Sequence, residues 1–148
     1  FKGEVQYMKC LVIHGPNLNM LGKRNQALYG SLTMQDINQL LSNTYPEVDF
    51  TFFQSNHEGL LIDLLQNTED YDALMINPGG LAHHSVVLRD AFELVACKKA
   101  VVHLSDIEQR EYFRRFDILK PLADVYVIGL KEQSYVLAMK ELIEKHLQ

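Results

Sequence analysis

Five short apolar segments, each followed by a stretch with the period of a helix, are the feature that most constrains this chain. The segments are residues 8–14, 48–54, 73–77, 100–104 and 125–129. Apolar runs of this length without strict alternation are typical of strands that are buried on both faces, as in a parallel sheet. The regular alternation of strand and helix therefore predicts one three-layer α/β domain, with helices on both faces of a five-stranded parallel sheet.

Helix signals occur in all five intervals, over about 33–43, 57–67, 85–97, 105 onward and 132–146. The predicted caps are Thr33 with Asp36, Asn56, Ser85, and Ser105 with Glu108. The two pairs have the spacing of a capping box. The single residues have side chains that can accept a hydrogen bond from a backbone N–H of the first helical turn. These caps predict where each helix begins.

Right-handed crossovers leave few ways to order five parallel strands, and the flavodoxin-like order 2-1-3-4-5 is the one we expect. In that order, ligands bind beyond the carboxyl ends of the strands, where strands 1 and 3 are neighbours. Three loops meet there, beginning at Gly15, Pro78 and Ser105. We therefore expect the functional residues in these loops.

Composition excludes several classes of protein. The 148 residues suit one domain, and 47% hydrophobic with 22% charged residues is ordinary for a globular protein. A net charge of -5 argues against a nucleic-acid partner, and no apolar run reaches the length of a membrane span. Cys10 and Cys97 form no CxxC pair, so we expect reduced thiols and a cytoplasmic location. Residues 1–7 are expected to be an expression remnant or tail, and 8–148 a single catalytic domain.

The first loop, residues 15–32, is long for a connection between a strand and a helix, which suggests a lid or binding loop. It has the spacing of neither a phosphate-binding P-loop nor a dinucleotide site. It does carry Arg24 five residues before Tyr29. A phenol with its ordinary pKa of about 10 is a poor base at neutral pH, and a guanidinium beside it favours the phenolate. The alternative, that both are solvated loop residues, stays open at this point.

The other two loops add polar groups at the ends of strands. Asn77 offers a donor and an acceptor, and His83 is expected to act as a hydrogen-bonding residue rather than a metal ligand. His103 ends the fourth strand, where it is either a structural histidine or a general acid. The amides of Leu104 and Ser105 precede a predicted helix and suit a carboxylate.

Taken together, these loops resemble type II 3-dehydroquinase, the 3-dehydroquinate dehydratase family, from Met8 to about Leu142. The matching segments are 15–19, 21–22 with Arg24, 29–30, 54–59, 77–80, His83, Ser85, 88–90, His103, Ser105, 110–111 and 113–114. The resemblance implies a flavodoxin-like domain that eliminates water in the anti sense from 3-dehydroquinate to give 3-dehydroshikimate, through an enolate and without metal or cofactor.

The resemblance also implies roles for individual residues. Tyr29 would be the general base, Arg24 its stabilising cation, and His103 the general acid. Asn17 would position a water, while the other substrate contacts would be Asn77, His83, Arg114, and the amides of Leu104 and Ser105. Asp90 would reach the site of a neighbouring subunit, because the family assembles as dodecamers, each a tetramer of trimers.

Four departures from the family pattern accompany these matches. Val101 stands where a glutamate usually supports the catalytic histidine, and Asn25-Gln26 replaces the usual Glu-Pro, which suggests a looser lid. Asp106 replaces a usual asparagine, which is expected to weaken anion binding. A glycine common before the last helix is missing from 129–135. We expect an active enzyme that is slower or shifted in its pH profile.

Two alternatives of other classes remain open from sequence. One is a flavodoxin-like module that binds a nucleotide or FMN. The other is a catalytically impaired relative that survives as an oligomeric binding protein.

Overall fold

The computed structural model of the chain describes residues 7–148. The prediction for residues 1–7 therefore lies, except for Tyr7, outside the described residues. The five strands are β1 (Met8–His14), β2 (Val48–Gln54), β3 (Ala73–Asn77), β4 (Lys98–His103) and β5 (Val125–Ile128). They form one sheet of order β2-β1-β3-β4-β5 in which every pair is parallel, so the predicted topology is confirmed.

Five α-helices accompany the strands. They are α1 (Gln26–Tyr29), α2 (Met34–Thr44), α3 (Glu58–Leu65), α4 (Val86–Glu93) and α5 (Glu132–His146). The helices α2 and α5 cover one face of the sheet, and α3 and α4 cover the other. Two apolar cores result, one on each side of β1, β3 and β4, and these central strands are almost entirely buried. In the described part of the chain, no helix is long and apolar enough to cross a membrane.

Two of the predicted caps are confirmed. Thr33 and Asp36 form a complete capping box on α2, with each side chain accepting from the other residue's backbone N–H. Ser85 Oγ accepts from the N–H of Leu88 at the start of α4. Both caps depend only on contacts within one turn, and such contacts are visible in the sequence.

Two other predicted caps are wrong. Asn56 does not cap α3, because its Oδ1 accepts instead from the N–H of Asn17 in the loop after β1. After β4, the cap is Asp106 rather than Ser105, and it begins a 3-10 helix at Ile107–Gln109. Asn56 is bonded to a residue that is distant in the sequence, so it is not available to α3. After β4, Asp106 also has a side chain that can cap, and it lies one position after Ser105.

Helix α4 ends at Glu93, four residues before the predicted boundary. The buried Lys99 at the start of β4 explains this end, since its Nζ donates to the carbonyls of Phe92, Glu93 and Val95 at 2.8, 3.2 and 3.0 Å. A lysine in this position satisfies the orphan carbonyls of a helix C-terminus. The sequence signal missed it because the partner comes from the next strand.

The chain enters α5 through a residue with an unusual backbone conformation. Lys131, the N-cap of α5, has a φ of 54°, and within the described residues only Asn17 is another non-glycine residue with positive φ. Its N–H donates to the carbonyl of Leu104 at 2.9 Å, which ties the start of α5 to the loop after β4. Residues other than glycine, asparagine and aspartate rarely adopt a positive φ, and the backbone strain there costs about 1–3 kcal/mol.

Replacing Lys131 by glycine should therefore raise the free energy of unfolding by about 1 kcal/mol, since the strain is relieved while the side chain is exposed. Lys140→Gly is the matched control, because Lys140 is also exposed but lies inside α5, where glycine costs about 1 kcal/mol. Urea unfolding measures both variants. If Lys131→Gly is destabilised like Lys140→Gly, Lys131 is not strained.

Candidate active site

A cleft opens at the carboxyl ends of β1, β3 and β4, where the topology placed it. Eight of the ten predicted site residues line it, namely Arg24, Tyr29, Asn77, His83, His103, Leu104, Ser105 and Arg114. The other two, Asn17 and Asp90, are exposed and do not line it. Leu18, Ile107 and Arg110 also line the cleft, with Gly79 and Gly80 at its edge. The sequence predictions therefore converge on one place.

Two guanidinium groups contact Tyr29. Arg110 Nη1 donates to the phenol oxygen at 2.8 Å, and Arg24 lies over the face of the ring with Cζ at 3.8 Å from the centroid. Arg110 Nη1 also donates to Ser105 Oγ at 3.4 Å, which connects the phenol to the loop after β4. The phenol of Tyr29 is thus in contact with two cations, one bonded to its oxygen and one over its ring.

Arg110 is the group that sequence reasoning gave no role, although it belonged to the matched segments. It lies 81 positions from Tyr29, and no local spacing connects the two. Sequence reasoning assigned the stabilising contact to Arg24 because it is close to Tyr29 along the chain. The structure adds Arg110 as the residue that contacts the phenol oxygen itself.

Positive charge is concentrated at this cleft although the whole chain is acidic. Arg24, Arg110 and Arg114 all line it. Burial lowers the pKa of Arg24, and the nearby guanidiniums of Arg110 and Arg114 lower it further, while Tyr29 opposes the change. Exposed Glu111 pairs with Arg114, with Nε and Oε1 3.2 Å apart, but lies at the rim. The arrangement suits a small anion.

The loop after β1 is more ordered than its length suggested. A 3-10 turn (Leu18–Met20) and α1 interrupt it. Asn25 Oδ1 accepts from the N–H of Ala27 and so caps α1, which places Tyr29 at the end of that helix. Asn25 thus fixes the start of the turn that carries Tyr29, and the expectation that Asn25-Gln26 loosens the lid stays a prediction.

His103 is supported by a carboxylate that comes from elsewhere in the chain. Its Nε2 lies 2.7 Å from Oδ2 of Asp117, and the two side chains are only 6% and 1% exposed. Tyr126 donates to the same oxygen at 3.2 Å. The expectation that Val101 deprives His103 of a carboxylate partner is therefore wrong. Sequence reasoning missed Asp117 because nothing local distinguishes it from a surface aspartate.

His83 presents one defined nitrogen to the cleft. Its Nδ1 donates to the carbonyl of Phe116 at 2.9 Å, because a carbonyl only accepts. Burial lowers the pKa of His83, against the opposing effect of that hydrogen bond, so the ring is neutral at pH 7. Its Nε2 is then an acceptor for a hydroxyl. The ring stacks beside His103, with centroids 6.4 Å apart.

Asn77 is fixed by a buried chain of hydrogen bonds. Its Nδ2 donates to Tyr135 Oη at 3.1 Å, and its Oδ1 accepts from the N–H of Gly79. Tyr135 in turn donates to His14 Nδ1 at 3.0 Å, and His14 Nε2 donates to Asn38 Oδ1 at 2.7 Å. Each of these side chains thus has a single orientation. Asn77 keeps one further N–H and one lone pair for a ligand.

This chain of bonds requires a neutral His14. A second ring proton on Nδ1 would face Tyr135, whose oxygen already accepts from Asn77 and whose own proton would lose its acceptor. Burial accordingly lowers the pKa of His14 from 6.5 to about 4.

The stability of the fold should therefore fall in acid. As the pH drops from 6.5 to about 4, His14 binds a proton in the unfolded chain but not in the folded chain. This difference lowers the free energy of unfolding by about 3 kcal/mol at pH 4. Above pH 6.5 this residue makes no pH-dependent contribution. His14→Asn should flatten the pH dependence of the unfolding free energy over this window, whereas exposed His146→Asn should leave it unchanged. Equal slopes in the two variants would contradict the account.

The remaining predicted groups lie outside the cleft lining. Asn17 has a φ of 71° and begins the 3-10 turn of the first loop, and its role with a water stays a prediction. Asp106 is exposed and its Oδ1 accepts from the N–H of Glu108, and the expectation that its charge weakens anion binding stays a prediction. Among residues 7–148, no group of three histidine, cysteine, aspartate or glutamate side chains is arranged to hold a metal ion.

The fold and this cleft define a flavodoxin-like α/β protein whose site combines a cation-flanked tyrosine with a carboxylate-bound histidine. Comparison with known proteins identifies the family. The model of the class II dehydroquinases matches residues 8–143, and the chain belongs to that family.

Individual relatives agree with this assignment. A 3-dehydroquinate dehydratase of Roseiflexus castenholzii is 45% identical over 139 residues, covering 92% of this chain and 88% of the relative. One from Thermotoga petrophila is 43% identical over 143 residues, covering 95% and 98%. The crystal structure of a type II dehydroquinase from Butyrivibrio crossotus superimposes with a TM-score of 0.89 at 34% identity, covering 93% and 98%.

Proposed function

We propose that this protein is a lyase that removes water from 3-dehydroquinate to form 3-dehydroshikimate, a step of the shikimate pathway. The observation that carries the proposal is the placement of Tyr29 between Arg24 and Arg110, in the same cleft as His103. An elimination next to a ketone needs a base for a carbon-bound proton and an acid for the departing hydroxyl, and these residues supply both.

Tyr29 acts as the base. Its phenolate removes the proton from C2, next to the ketone, and the electron pair of the C–H bond moves into the enolate. The guanidiniums of Arg24 and Arg110 stabilise the phenolate before this step. Proton transfer by a positioned group contributes about 10²–10⁴-fold to such a reaction.

His103 acts as the acid. As the enolate collapses back to the ketone, the C1–O bond breaks and the departing oxygen takes a proton from the imidazolium, so that one water leaves. The carboxylate of Asp117 lies against the opposite ring nitrogen. In the anti elimination, the base and the acid act on opposite faces of the substrate ring.

The other lining residues hold the substrate. The amides of Leu104 and Ser105 bind its carboxylate, with the three arginines providing the surrounding positive charge. Asn77, His83 and Arg114 bind ring hydroxyls, for which Asn77 retains one donor and one acceptor and His83 offers Nε2. Asn17 does not line the cleft but adjoins Leu18, which does, and we propose that it positions a water at the enolate oxygen.

Ultraviolet absorbance of the conjugated enone product tests the reaction directly. Tyr29→Phe removes only the phenol oxygen, and it should lower kcat by about 10²–10⁴-fold. Tyr71→Phe is the matched control, since Tyr71 precedes β3 at the opposite end of the sheet and should retain the parent rate. No enone from the folded parent protein would favour the impaired relative, and a fully active Tyr29→Phe would exclude Tyr29 as the base.

Arg110→Met and Arg24→Met should each lower kcat by about 10–100-fold near neutral pH, because a hydrogen bond or cation that stabilises a charged group contributes about 1.5–3 kcal/mol. Both variants should regain rate as the pH rises, since alkali supplies the phenolate that the cation no longer stabilises. The control is Lys23→Met, which removes an exposed cation from the same loop. An unchanged pH profile of kcat in both arginine variants would contradict this electrostatic role.

We also propose that the active form is a homododecamer, a tetramer of trimers, in the cytoplasm. Helix α4 carries Val86 and Val87, which are 60% and 53% exposed, on the same helix as the exposed Asp90. Apolar residues exposed beside each other are typical of a contact surface. In the assembly, Asp90 reaches the site of a neighbouring subunit. Light scattering during size-exclusion chromatography should give the mass of twelve chains, and a monomer would contradict the assembly.

A further inference from the structure

Strand β4 supplies no carboxylate to the histidine at its end. Val101 and His103 are two residues apart, so their side chains lie on the same face of the sheet. Val101 is completely buried in the apolar cluster that includes Leu119. The position from which the family pattern supports its histidine is therefore part of the hydrophobic core in this protein.

Asp117 reaches the same imidazole from a different segment. It follows the 3-10 helix that contains Arg114, and its Oδ2 lies 2.7 Å from His103 Nε2. Its other oxygen, Oδ1, accepts from the N–H of Leu119 at 2.8 Å. The hydrogen bond to Oδ1 fixes the orientation of the carboxylate. Oδ2 is therefore held in one position relative to the His103 ring.

Tyr126 completes this arrangement. It is the partner of Val101 in the pairing of β4 with β5, so it occupies the neighbouring position on the sheet. Its hydroxyl donates to Asp117 Oδ2 at 3.2 Å. Burial, and then the charge of Asp117, raise the pKa of Tyr126 well above its ordinary value, so the phenol remains a donor. Asp117 therefore accepts from three donors, which suits a buried carboxylate.

We infer that Asp117 is the positioning residue for the acid His103, in place of the carboxylate that strand β4 lacks. The inference rests on the proposed function. A carboxylate only accepts, so Asp117 holds a proton on Nε2 and leaves Nδ1 as the atom that protonates the departing hydroxyl. The ring is oriented before substrate arrives, and its charged form has a buried counterion.

The groups around His103 are consistent with this role. Tyr126 lies edge-on to the ring, with centroids 6.3 Å apart, and neutral His83 stacks on it at 6.4 Å. Arg110 and Arg114 line the same cleft, and their positive charges would repel a protonated His103 ring. Asp117 is the acidic side chain within hydrogen-bond distance of the His103 ring.

Asp117→Asn tests the inference, because asparagine keeps the Oδ1 cap on Leu119 while it removes the charge. We expect kcat to fall by about 10–100-fold, as for loss of groups that orient a functional histidine. The alkaline limb of the kcat profile should move to lower pH by about 1 unit or more, since the charged acid loses its counterion. KM should change little. Values of kcat within about twofold of the parent, with an unchanged profile, would overturn the inference.

A rescue variant separates positioning from packing. Val101→Glu, added to Asp117→Asn, places a carboxylate on the His103 face of β4 and should restore at least several-fold of the lost rate. Val101→Gln in the same background is the matched control, since it has the same shape without the charge and should restore nothing. Equal rates for the two double variants would contradict a role for the carboxylate.

Nitrogen-15 NMR of the histidine rings gives a readout that does not depend on turnover. In the unliganded parent, the neutral ring of His103 should carry its proton on Nε2, and in Asp117→Asn the two tautomers should mix. A parent ring protonated on Nδ1 would overturn the inference even in an active enzyme. An inactive parent with the proton on Nε2 would contradict the proposed function while supporting the positioning by Asp117.

Discussion

The hydrogen bond from Arg110 to the hydroxyl of Tyr29 is the contact on which the site depends. It joins the loop after β1 to the segment after β4, so that two distant parts of the chain enclose one cleft. Arg24 lies over the ring of the phenol from within the same loop as Tyr29. The tyrosine is consequently placed by packing and charge together, and its position relative to His103 is set by the sheet that carries both segments.

Buried polar groups support the side chains of this cleft. His14, Tyr135 and Asn77 form one chain of hydrogen bonds at the ends of β1 and β3, and Asp117 with Tyr126 forms another beside His103 at the end of β4. Within the described residues, every buried side-chain nitrogen and oxygen atom has a hydrogen-bond partner. Fully satisfied networks hold functional side chains in one orientation, because any alternative leaves a buried polar group unpaired.

Features that depend on local spacing could be predicted from the sequence. The five strands, their order and the capping box of Thr33 with Asp36 follow from periodicity and from the handedness of crossovers. The location of the cleft follows from the same topology, which is why Tyr29 and His103 were expected at its edge. Membership of the dehydroquinase family then makes the nucleotide-binding alternative unnecessary.

Contacts between distant segments could not be predicted in this way. Arg110 meets Tyr29, and Asp117 meets His103, through loops whose path no local pattern specifies. The early end of α4 has the same origin, because Lys99 reaches back from the next strand. Val101 gave no sign of this partner, because Asp117 lies 14 positions after His103.

A crystal structure with a bound cyclic carboxylate analogue of the enolate would show how the cleft holds its ligand. We expect the carboxylate to lie on the amides of Leu104 and Ser105, with the Tyr29 oxygen and His103 Nδ1 on opposite faces of the ring. Arg110 should remain bonded to the phenol. A ligand bound with both side chains on one face, or with Tyr29 separated from both guanidiniums, would contradict this expectation.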